Sequence, residues 1–190
     1  MKKILLIITL IFSLLSCSQE QLEKSTIKND FEKYLLAVKN KKIDDAVNCI
    51  YPKFFDIVPK EQMKQMLEIT YNNPQLGFIF KKYNIDDIKK IEHIKKEFYT
   101  TVNYTFDVEL QLNSEELKSK QSLIKDKLES KFGSDNIKFS NENQTFQIHS
   151  TKKAIGISKD GKTNWKFVVM ENEYKPYLIK ILPEKIINEN

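Results

Sequence analysis

The side chains best suited to proton transfer in this chain are Asp107 and His149, and those suited to thiol chemistry are Cys17 and Cys49. A carboxylate or an imidazole works as a general base only when it is held within hydrogen-bond reach of its substrate in a sheltered site. Asp107 and His149 both fall on expected strands, but on the polar side of each alternation, next to Phe106 and Ile148, so exposed positions are expected for both. Cys49 stands near Ala46, Val47 and Ile50 in a helical pattern, where a small buried thiol is expected. Nothing adjacent supplies the electropositive setting that activates a thiolate. His93 and His149 are the only histidines, and neither an HExxH nor a CxxC spacing occurs, so no metal centre is expected. Four glycines cannot build a local phosphate loop. The pairs Asp44-Asp45, Asp86-Asp87 and Glu115-Glu116 diverge on a helix and read as helix-start or turn charges rather than paired catalytic acids. No cofactor is implied.

Cys17 belongs to a different chemistry. Lys2 and Lys3 form a cationic start, and Ile4 to Leu15 is an apolar run broken only by Thr9 and Ser13, too short to cross a bilayer as a helix. The end of that run, Leu14-Leu15-Ser16-Cys17, resembles the lipobox of bacterial lipoproteins, although Leu15 stands where the family usually has a small residue. The resemblance implies diacylation of the Cys17 thiol and cleavage before it, which makes Cys17 an anchor and not a catalyst. Two acyl chains hold a protein to a bilayer stably where one gives only marginal binding. The polar stretch from Ser18 to Ser25 then reads as a tether. Ser18, in place of an aspartate, implies a cell-envelope address at the outer membrane where the host has one.

The basic residues are all lysine, 31 of them against 26 acids, with a formal net charge of +5 to which Lys2 and Lys3 contribute. Without a guanidinium fork the chain cannot make bidentate contacts to phosphate or guanine, which argues against specific nucleic-acid recognition. Interspersed charges of both signs describe a solvated surface. With the signal removed, residues 17–190 suit one domain with one sizeable core.

The elements that must position any site follow from periodicity. Ile27, Phe31, Leu35 and Val38 recur at helical spacing, with Tyr34 widening the stripe and Ser25 or Thr26 placed to cap the start. Ile43, Val47 and Ile50 mark a second helix stopped by Pro52, YPKFFDIVP is an aromatic turn, and Pro59 opens a third helix that ends at Asn72-Asn73-Pro74. Leu76 to Phe80 reads as a short strand, and 85–94 fits helix or strand. From Phe98 to Leu112 apolar and polar residues alternate strictly, which predicts a long antiparallel strand with one wet face. Asn113 with Glu116 suggests a capping box for a helix reaching Phe132, ended by Gly133. Hairpins are expected around Asn141 to Gln144 and at SKDGK, the latter with Ile155 opposite Trp165, and Asn164 to Met170 is expected to pair with Tyr177 to Leu182.

Three N-terminal helices wrapped by a curved antiparallel sheet resemble the NTF2-like or cystatin-like α+β fold, over most of residues 26 to 183. The division expected is therefore a signal peptide at 1–16, a lipidated cysteine and tether at 17–25, and a single α+β domain at 26–190. The resemblance implies a cone whose interior is a pocket, a catalytic site or plain core, and fold does not choose among these. Thr100 and Tyr104, the polar exceptions on the buried face of the long strand, would with Trp165 rim an apolar pocket. The plainer alternative makes Tyr104 and Trp165 core aromatics whose polar tips reach a partner or water. The leading expectation is a non-enzymatic, lipid-anchored module that binds a small apolar ligand or an envelope protein. The alternative is an isomerase or hydrolase of the same fold acting on a small apolar substrate.

Overall fold

The computed structural model describes residues 2–189, with side chains described from residue 21 onward. Cys17, and with it the expected lipid anchor, lies outside the residues whose side chains are described. The molecule is α+β: seven α-helices and an open antiparallel sheet of six strands, among the described residues.

The sheet is built on the long strand foreseen by alternation, β3 (Glu97–Leu112), which pairs along almost its whole length with β5 (Thr145–Ser158). The free edge of β3 is shared by β1 (Leu76–Ile88) and β2 (Glu92–Ile94), and the free edge of β5 by β4 (Ile137–Ser140) and β6 (Lys166–Val169). Six strands thus occupy four positions. The ambiguity at 85–94 has a structural cause. Register shifts between Phe80 and Lys82 and between Ile85 and Asp87 insert an extra residue twice, so the side chains opposite inward partners of β3 are Phe78, Phe80, Tyr83, Ile85 and Ile88. Their spacing mixes two and three, which blurs a strand pattern into a helical one, and such bulges bend the strand.

Two helical covers lie on the inner face. Ile27, Phe31 and Leu35 of α1 (Lys2–Lys39) are fully buried against Val102, Tyr104, Ala154, Trp165 and Phe167. The Phe31 ring meets Tyr104 edge-on at 5.0 Å and Phe167 at 4.8 Å. Behind it stand α2 (Ile43–Asn48), a 3-10 turn at Pro52–Asp56 and α3 (Lys60–Tyr71). At the far end, Leu117 of α4 (Glu115–Ser119) and Ile124, Leu128 and Phe132 of α5 (Gln121–Phe132) pack over Val108, Leu112, Phe146 and Ile148.

Several expectations need correction. No cap occurs at Ser25 or Thr26: α1 runs through the expected tether, and the Thr26 hydroxyl donates back to the Leu22 carbonyl within the helix. The stretch holds good helix formers and neither glycine nor proline, so nothing stops the helix there. The cap before α4 is Ser114, whose Oγ accepts from the Leu117 amide, one residue beyond Asn113. The turn at SKDGK is longer than expected and sets Ile155 opposite Val168, not Trp165. Asp160 explains it: its carboxylate accepts from the Lys162 and Thr163 amides and from the Ser158 and Thr163 hydroxyls, holding an extended loop. Gly161 in that loop has φ +72°, and a Cβ there would come within 2.7 Å of Phe98.

The largest correction is at the C-terminus. Residues 177–182 form no strand; the edge of β6 instead meets Ile50 in a parallel bridge, and the chain continues as α6 (Lys175–Leu178) and α7 (Glu184–Asn188). Pro176 removes a ladder donor, and Leu178, Leu182 and Ile186 at i, i+4 spacing outweigh the alternation of Tyr177, Ile179 and Ile181. These residues pack with Tyr51 and Phe54 over Tyr99, Ile155 and Ile157. The outer face of the sheet is therefore dry at this end, and only the stretch around Thr105 to Gln111 keeps the expected polar side.

Candidate functional site

Between the two inner covers the sheet is left open. Tyr104, Phe106, Val108 and Leu110 of β3 form the floor of a cavity of about 450 Å³, with Tyr34, Leu35 and Val38 of α1 on one wall and Phe132 of α5 on another. That volume is within the range of small-molecule sites, and the lining is predominantly apolar and aromatic, as such sites are. Only three charged residues line it: Lys131, Lys152 and Glu171.

The polar groups gather at one end. The β3–β5 register places Lys152 directly opposite Tyr104, and Lys152 Nζ donates to Glu171 Oε2 at 2.8 Å. The two side chains are 17% and 24% exposed, so the pair is half-buried, and removing either partner would strand the other charge. Burial, reinforced by the neighbouring Tyr34 and Glu171, raises the Tyr104 hydroxyl well above its ordinary pKa. Burial likewise raises Tyr34, with smaller contributions from Tyr71, Cys49 and Glu171. Both phenols therefore stay neutral donors. Lys152 Nζ also lies 5.6 Å over the Phe132 ring.

Of the three residues singled out from the sequence, the structure brings only Tyr104 to this cavity. Thr100 is buried elsewhere, its hydroxyl donating to the Lys89 carbonyl at 2.7 Å. Trp165 is 2% exposed, packed with α1 and against Gly156; its amide donates to Asp30 Oδ2, and its indole N–H has no partner among the described residues. The residues that sequence reasoning missed are Tyr34, Lys131, Lys152 and Glu171. A signal existed for Lys152: it shares the inward parity of Phe146 and Ile148 on β5, where a lysine is out of place.

Asp107 and His149 do meet. They are register partners on β3 and β5, with His149 Nδ1 2.6 Å from Asp107 Oδ1, and Lys82 Nζ 3.1 Å from the other carboxylate oxygen. The hydrogen bond with His149, joined by Lys82, outweighs the opposing effect of burial and lowers the Asp107 pKa. The pair alternates with Val108 and Ile148, so it points away from the cavity, and the His149 side chain is 55% exposed. Cys49 is half-buried at the end of α2, and burial pushes its thiol up despite Lys166 nearby. Among the described residues no cluster of His, Cys, Asp or Glu could hold a metal ion, and no helix is long and apolar enough to cross a membrane. No protein-family model and no curated protein matches the chain.

Proposed function

We propose that the protein is a lipid-anchored envelope module that binds a small, largely apolar ligand in the cavity over β3, without transforming it. The observation that carries this reading is the cavity itself: a walled apolar space, left between two helical covers, with its few polar groups collected at one end. A pocket is one of the uses that the resemblance to NTF2-like domains implies for the cone, and the lipobox-like stretch ending at Cys17 would keep the module at a membrane. The Asp107–His149 pair, the only couple resembling a base and its partner among the candidates, faces away from this space.

Native mass spectrometry of the full chain, purified gently from its own host, tests the binding role. A reproducible extra mass of small-molecule size is expected, and a chain that stays bare when challenged with a panel of apolar compounds overturns the reading. The anchor is tested separately. Metabolic labelling with an alkyne analogue of palmitate should mark the wild type, whereas Cys17→Ser should lose both the label and membrane partitioning.

A further inference from the structure

We infer that the ligand is a single-chain anionic amphiphile of the fatty-acid type, its head group received by Lys152 and its hydrocarbon chain laid along β3; this rests on the binding role proposed above. The cavity wall carries two lysines and one carboxylate, so it presents a net positive charge to an otherwise apolar space. An ammonium group has three donor hydrogens. Glu171 takes one from Lys152, and the side chain is only 17% exposed, so the remaining donors are poorly served by solvent. Burying a charge without full pairing is costly, and an incoming anion relieves that cost.

The arrangement also fixes which end is the head. Tyr104 stands opposite Lys152, and its hydroxyl and that of Tyr34, both on the cavity lining, are neutral donors that can join the lysine on one acceptor group. From Tyr104 onward the inward residues of β3 are Phe106, Val108 and Leu110, with no polar side chain among them. At a rise of about 3.3 Å per residue, this apolar track extends roughly 13 Å, and roughly 20 Å when measured from Tyr104, the reach of a straight hydrocarbon chain rather than of a compact ring. Lys131, whose partner Glu173 is exposed and 3.6 Å away, adds a second cation at the wall.

The test titrates the full chain in lipid nanodiscs with dodecanoate carrying 13C at its carboxyl carbon, and in parallel with dodecanol, subtracting empty nanodiscs. Saturable one-to-one binding of dodecanoate, at least tenfold tighter than dodecanol, is expected. Glu171→Gln frees the lysine and should tighten dodecanoate several-fold, while Lys152→Met should weaken it by tenfold or more and leave dodecanol within about twofold. The double variant Lys152→Met/Glu171→Gln removes the pair together and guards against a fold damaged by one stranded charge; it should bind like Lys152→Met. A merely structural pair would give losses of the same sign for both single variants and both ligands, which overturns the inference. Equal affinity for the acid and the alcohol overturns the anionic head group but leaves the apolar cavity reading standing. Binding of neither compound overturns both.

Discussion

Glu97, a carboxylate outside the cavity, is held by three side-chain donors. It accepts hydrogen bonds from the Tyr51 and Tyr99 hydroxyls and from Lys53, joining the turn at Pro52–Asp56 to the outer face of β3. Burial alone would raise its pKa, but the hydrogen bonds from Tyr99, Lys53 and Tyr51 outweigh it and hold the group below its ordinary value. A depressed carboxylate contributes stability that is present above its unfolded pKa of about 4.3 and is lost as pH falls through the lower folded value. Urea melts taken between pH 7 and pH 3 should therefore show the wild type losing stability below about pH 5. Glu97→Gln should be less stable at pH 7 by about 1–3 kcal/mol and lose less on acidification. Gly161 is the other residue on which much depends. Its positive φ and the 2.7 Å approach of Phe98 predict that Gly161→Ala destabilises by about 1–3 kcal/mol, read as a shift in the urea midpoint.

Elements were legible where one periodicity ruled. β3 declared itself because its strict alternation has no competitor, and the stripe Ile27, Phe31, Leu35 named the buried face of α1. β1 was half hidden, since two bulges break its period. The cavity was hardly legible: Tyr104 could be found from its own strand, whereas Glu171 reaches Lys152 only through the β5–β6 pairing, whose hairpin was expected but in a register three residues off. The C-terminal helices were misread because Tyr177, Ile179 and Ile181 alternate as well as Leu178, Leu182 and Ile186 step by four. That reassignment is checkable. Leu178 is fully buried and Ile179 is 53% exposed, so Leu178→Ala should cost about 2–5 kcal/mol and Ile179→Ala less than about 0.5 kcal/mol, the reverse of what a strand facing the other way would give.

For the molecule as a whole, cavity and core are one continuous inner face, so binding and stability trade against each other. A side chain grown into the cavity from its floor fills space that the fold leaves to a ligand. Val108→Phe is predicted to keep or raise the stability, by up to about 2 kcal/mol, while abolishing the extra mass in native mass spectrometry. A parallel loss of stability and ligand would mean that Val108 is ordinary core.

The way six strands fill four positions bears on how fast the chain can find its fold. The central ladder joins Phe98 to Ser158 and Gln111 to Thr145, partners separated by a helix pair and a hairpin, whereas each edge strand pairs locally with β3 or β5 alone, so this ladder is what joins the two halves of the sheet. A large loop must close before any of its hydrogen bonds reward the closure, which places folding in the slow, millisecond-to-second regime of non-local sheets. Until then the apolar faces of β3 and β5 stand open, and it is in that interval, rather than in the finished structure, that the chain is most exposed to self-association.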